Sequence, residues 1–455
     1  MQTSRVNSND MDWFRTAFSR ANADANGEPP AQLGLIRERA FLKFSEEGLP
    51  SGKNEDWKYT SLKSLARRDP LSAPKQKESD LARSSIEEAL SFQIPENSIV
   101  FVDGRFAPQL SSALDGNKGF SCARILDLVA KDSEVETDWQ NELLSNQEVE
   151  DSPIISTLNL ALFTDGLYLR VPRDVRVDEP IWLIHFGSDA QEASAHTRNV
   201  LVLEEGSCAS IVEAFIGERD ARDYLRTSVT RARIGENAKL THTKLVKESC
   251  GTTHLGILEA DLSRASRLAS HTITFGGELV RNEVHPRLLG PGAHADLFGI
   301  TAIGGSQHVD NHTSIDHVSA NCTSEEIFRG VYAGESRGVF GGTIFVRPGA
   351  QKTNAIQSNN NILLSDKAQV NTRPQLKIYA DDVKCTHGAT IGQLDDEALF
   401  YMRSRGIQEE MARRLLVEAF ARTVTEKIEH DGLRDCAHTL LSNRLSELVA
   451  SASAD

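Results

Sequence analysis

The 455-residue chain carries 50 Lys and Arg against 65 Asp and Glu, a formal charge of −15. That balance excludes a general nucleic-acid or anionic-membrane surface, which needs clustered cations, and no run of about 18 apolar residues is available to span a bilayer. With 39% hydrophobic and 25% charged residues the chain should fold, and its length favours two or three domains over one core.

The first residues, Met1 to Ser8, lack an apolar signal region, so a cytoplasmic location is expected. Residues 1–130 read as a mostly helical N-terminal domain, with Trp13, Phe14 and Phe18, then Leu33, Ile36, Ala40 and Phe44, at three- and four-residue spacing. Ile99-Val100-Phe101-Val102 followed by Asp103-Gly104 reads as a strand and turn. Residues 131–154 form an acidic connector. From 155 to 392 helical periodicity disappears. Short β runs such as Val200–Leu203, Leu240–Leu245, Thr272–Phe275 and Thr343–Val346 alternate with corners at Gly206-Ser207, Gly235-Glu236-Asn237, Gly290-Pro291-Gly292 and Pro348-Gly349-Ala350. Weak periodicity of this kind fits a coiled sheet whose rungs cannot bury a face alone. The predicted fold is therefore mainly β, a β-helix ahead of a large sandwich, with Asn359-Asn360-Asn361 suited to a side-chain ladder at a corner.

Residues 393–455 return to helix. Asp395 is a candidate N-cap, with Asp396 and Glu397 in the first turn, and Gly406 is a C-terminal stop. Met411, Leu415, Leu416, Phe420, Val424 and Ile428 form an apolar stripe, with Glu409–Arg413 and Glu418–Arg422 as i,i+4 pairs.

Six cysteines stand at 122, 208, 250, 322, 385 and 436, with no Cys-x-x-Cys among them. That spacing excludes the usual zinc-ribbon and ferredoxin frameworks. Thiols in a reducing compartment are expected, with Cys122, Cys250 and Cys436 as small buried hydrophobes. Two clusters could carry chemistry. Cys385-Thr386-His387 puts a thiol and an imidazole on one face of an extended segment, able to meet one iron or zinc ion, and Gly388 would permit close backbone approach. His308, Asp310, His312, Ser314 and Asp316 likewise share a strand face. They are compatible with a carboxylate–imidazole metal site, but a polar ladder on an exposed or interfacial sheet face is the favoured reading. No phosphate-binding Gly-x-x-x-x-Gly-Lys loop and no Gly-x-Ser-x-Gly elbow occur.

Asn54-Glu55-Asp56-Trp57-Lys58-Tyr59-Thr60, Gln307 to His312, Pro348 to Thr353 and Asp381 to Gly406 resemble the SufB/SufD family of iron–sulfur cluster assembly proteins. Gly388 stands after His387 where SufB proteins usually carry Glu, and the cysteine-rich insert of many SufB sequences is absent. The resemblance implies a right-handed parallel β-helix over residues 155–392 between helical domains. It implies a non-catalytic scaffold that pairs with SufB through the β-helix and docks the ATPase SufC on the 393–455 helices, with Leu399, Tyr401, Met402 and Arg405 at the contact. Without SufB, self-pairing into a homodimer is expected. Cys385 and His387 match the family's functional positions, where iron or a nascent cluster is shared transiently with SufB; His308 and His312 are weaker candidates, and no cofactor is tightly bound to this chain alone. The alternative is a metal-dependent β-helix or cupin-like enzyme using His308, Asp310 and His312.

Overall fold

Strands of 8 to 11 residues and tight corners repeat from Ser194 to Gly392, and successive strands go to opposite sheets. The computed structural model describes residues 12–23, 31–65, 79–112, 119–130, 153–188, 193–218 and 223–452. One sheet runs in space as β19 (Lys384–Gly392), β17 (Asn354–Leu363), β15 (Thr323–Tyr332), β13 (His294–Ile303), β11 (Arg267–Thr274), β9 (Lys239–Lys247), β7 (Cys208–Gly217), β5 (Ile181–Gly187), β1 (Ser98–Val102) and β2 (Arg105–Phe106). The other runs as β18 (Gln369–Ile378), β16 (Arg337–Val346), β14 (His308–His317), β12 (Leu279–Leu288), β10 (Thr252–Leu262), β8 (Tyr224–Ile234), β6 (Ser194–Leu203), β4 (Leu167–Val171) and β3 (Ser121–Arg124). Every strand from β4 to β17 pairs in parallel with the strand two further along the chain, making a β-solenoid of about seven turns. The mainly β prediction is correct.

Side chains alternate between the solenoid interior and its outer faces. Ala209, Leu240, Leu268 and Ala295 form one inward column on adjacent strands of one sheet. The corners are held by a second column. Asp174, Gly206, Asn237, Ala265, Gly292, Asn321 and Lys352 all have positive φ, and each donates its N–H to a carbonyl of the next coil, from Glu205 to Asp382. Gly and Asn suit that left-handed geometry without strain, which is why the corner motifs are legible in the sequence.

Helices cover both outer faces. Asp12–Ala23, Ala31–Glu47 and Ile154–Leu162 pack on the β4–β12 sheet through Tyr168, Val200, Val202, Leu225 and Leu255. Ser79–Leu90 and the helices Glu409–Thr425 and Asp431–Ala452 cover the other sheet. Strand β1 lies beside β5 and turns at Asp103-Gly104, both at positive φ, into β2, so the predicted strand and turn joins the solenoid itself.

Four details differ from expectation. Ile154–Leu162 is a helix within the stretch read as β; its residues 155–162 are all buried, the polar Ser156, Thr157 and Asn159 included, so no solvent-facing side marks it in the sequence. Asn359 and Asn361 lie inside β17, not at a corner, and bond each other. On the Glu409–Thr425 helix the buried stripe is Ala412, Val417, Ala421 and Val424, while Met411 and Leu415 are exposed; small residues let the helix lie close on β13 and β15. Among the cysteines, Cys322 is the buried one and Cys250 is exposed. Most of the predicted acidic connector, residues 131–152, lies outside the described residues. Asp395 does cap its helix, accepting from the Glu397 and Ala398 N–H groups.

Gly166 tests how tightly the coils stack, because a Cβ there would sit 1.7 Å from the Arg198 carbonyl oxygen. That carbonyl belongs to the next coil's backbone and cannot swing aside. Gly166→Ala should cost about 3 kcal/mol and lower the thermal midpoint by several degrees in a calorimetric scan.

Candidate functional site at the end coil

At one end of the solenoid antiparallel strands finish the sheets: β2 beside β1, and β3 beside β4. At the other, β18 and β19 have a strand on one side only. Cys385 aligns with Ala355 and His387 with Gln357, both buried on the inward face of β17. Cys385 packs against the interior cluster, and alternation turns His387 the same way. Because no coil lies above, this inward face is open: Cys385 is half-buried and His387 exposed. The sequence-predicted pair is thus brought together at the mouth of the solenoid. Burial pushes the Cys385 thiol above its ordinary pKa, a backbone hydrogen bond at Ala355 partly opposing it. The group is therefore a thiol at neutral pH, and taking a soft metal ion would release its proton. Gly388 is not crowded; a Cβ there would meet nothing within 4 Å among the described residues.

The second cluster has a different character. His308, Asp310 and His312 do share the outer face of β14, but the buried Asp310 is already engaged. Its Oδ2 accepts from Arg281 Nη1 at 2.6 Å and from the Thr60 hydroxyl at 2.5 Å, and its Oδ1 faces His312 Nε2 at 3.0 Å. Thr60 also meets His308 Nε2 at 3.1 Å. Arg281 bonds the Asp56 carbonyl, pairs with Glu283, and lies 3.8 Å over the Trp57 ring. Arg373 reaches Glu55 and Asp56. The Glu55–Thr60 motif is thereby a latch, with Trp57 its buried anchor. A guanidinium sits where a metal would be needed, and no group of three or more His, Cys, Asp or Glu among the described residues is placed to hold one. The sequence offered the motif but not this role, because its partners lie over 200 residues away.

Near the C terminus Leu399 is buried against its own chain. Its neighbour Phe400, which the sequence reading passed over, is 72% exposed, and Tyr401 is 59% exposed. Met402 is half-buried and Arg405 exposed. Met411 and Leu415 on the next helix are exposed as well.

Residues 10–183 match the family described as the SufBD protein N-terminal region, and residues 185–420 match the SufBD core domain of SUF system FeS cluster assembly. The chain belongs to the SufB/SufD family. It is similar to the iron-sulfur cluster assembly protein SufD of Escherichia coli, with 31% identity over 88% of this chain and 90% of that one. An iron-sulfur cluster assembly SufBD family protein of Synechocystis shares 29%, over 94% of each chain. SufD of Bacillus subtilis shares 25%, over 90% and 92%. The SufBD-family chain keeps its end coil open and its latch closed, and no helix among the described residues is long and apolar enough to cross a membrane.

The latch has a pH signature. Burial disfavours the Asp310 charge, but Arg281 and His312 outweigh it and hold the carboxyl at about 2, below the ordinary 3.8. A depressed folded-state value adds stability above about pH 4, and that contribution, about 2 kcal/mol, is lost as pH falls toward 2. Asp310→Asn should lower the thermal midpoint at neutral pH and leave a shallower acid limb in melts taken from pH 5 to 2.

Proposed function

We propose that this chain is the SufD-type scaffold of a SufB–SufC assembly complex in the cytoplasm, non-catalytic itself. It pairs with SufB through the open end coil, docks the ATPase SufC on its C-terminal helices, and presents Cys385 and His387 to iron or a nascent cluster held jointly with SufB. The observation that carries this reading is the end coil. Two edge strands present unpaired backbone donors and acceptors, and exposed edges of this kind invite strand pairing. A partner built on the same solenoid would continue both sheets and close the mouth. A thiol and an imidazole are too few to enclose a cluster, so a second chain must complete the ligand set. Six free cysteines fit a reducing compartment. The chain's own residues supply a sulfur donor, a nitrogen donor and a wall that becomes dry once the partner is seated.

Cys385→Ala with His387→Ala should abolish cluster formation in the reconstituted complex while SufB pairing persists on gel filtration. Wild-type assembly by the double variant would overturn the ligand role.

Phe400, Tyr401, Met411 and Leu415 are exposed apolar side chains on two consecutive helices, the kind of patch that marks a protein contact. Phe400→Asp with Met411→Asp should weaken SufC binding at least tenfold, about 1.4 kcal/mol, without changing the melting curve of the chain alone. Titration calorimetry against SufC checks both directions.

A further inference from the structure

Directly beneath the open mouth lies a buried polar stack. His387, Gln357 and Glu326 occupy one inward column on β19, β17 and β15. Gln357 and Glu326 are buried, and Gln357 Nε2 donates to Glu326 Oε2 at 2.6 Å. Gln357 Oε1 is buried with no hydrogen-bond partner, a state that costs about 1–3 kcal/mol unless something donates to it. The coil above carries His387 at that register, one ladder spacing of roughly 4.8 Å away, and its ring makes no bond to Oε1 in this structure. Space for the amide is built in. On the facing sheet Gly342 lies where a Cβ would come within 2.2 Å of Gln357 Nε2.

We propose that Gln357 and Glu326 are positioning residues for His387. With a turn of the exposed His387 ring, Gln357 Oε1 accepts its N–H, and Glu326 anchors the amide through its Nε2 so that this acceptor stays free for the histidine. The inference rests on the reading that His387 is a donor at the shared end-coil site. An imidazole held by one N–H offers the lone pair of its other nitrogen outward in a fixed direction, as in second-shell arrangements around metal-binding histidines. Glu326 suits the anchor role. Burial pushes its carboxyl up to about 7, against the pull of the hydrogen bond from Gln357, and the protonated and ionised forms alike accept from the Gln357 amide.

The test uses the full chain labelled with 15N-histidine. An exposed imidazole N–H without a partner exchanges too fast to be seen at neutral pH, whereas one donating to Gln357 gives a protected signal, assigned by its loss in His387→Gln. The wild-type signal should be present, retained in Glu326→Gln, and lost in Gln357→Leu and Glu326→Leu. In the reconstituted complex Gln357→Leu should slow cluster formation by about 10–100-fold. A wild-type chain with no protected His387 signal, or a signal indifferent to Gln357→Leu, overturns the proposal, and the first outcome requires no variant to fold. His387→Ala separates the two layers. If assembly ignores that change, the end-coil reading fails whatever the spectrum shows. If assembly is lost but the wild-type signal is missing, only the positioning role fails.

Discussion

The parallel backbone ladder governs this molecule. Each strand satisfies its N–H and C=O groups on strands one coil before and one coil after, so no coil is complete alone. The ladder can be left open only at its two ends. One end is finished within the chain by the short antiparallel strands Arg105–Phe106 and Ser121–Arg124. The other is left as two bare edges at β18 and β19. The same end carries the thiol and imidazole of Cys385 and His387.

The latch shows the same economy of placement on the outer face. Asp310 would be costly to bury as a lone charge. Arg281, His312 and Thr60 surround it instead, and the Arg281 guanidinium also covers Trp57. The latch thus ties residues 55–60 to the second sheet and turns a face that looked metal-binding into a structural joint.

Interior glycines carry a comparable burden. Gly342 makes room for the Gln357 amide, and Gly299 lies where a Cβ would meet the Phe328 ring at 2.2 Å. Inside a narrow solenoid, facing sheets must alternate large and small side chains to fill the space without overlap. Polar stacks such as Asn282–Asn311 and Gln357–Glu326 run through that interior because register puts like positions one above another.

The sequence by itself determined the β class, the corner positions, the Asp395 cap and the sharing of one strand face by Cys385 and His387, because each depends on neighbours within a few residues. Local spacing also put His308, Asp310 and His312 on one face. It could not say that Arg281 and Thr60 would occupy their carboxylate, since those contacts span 29 and 250 residues. Nor could periodicity find the buried helix Ile154–Leu162, or tell which of Met411 and Ala412 faces the solenoid, because burial on every side and burial against a distant strand leave no local trace. Only the stacking of coils decided that the final rung stays open, and that a glutamine and a glutamate from earlier rungs lie beneath its histidine.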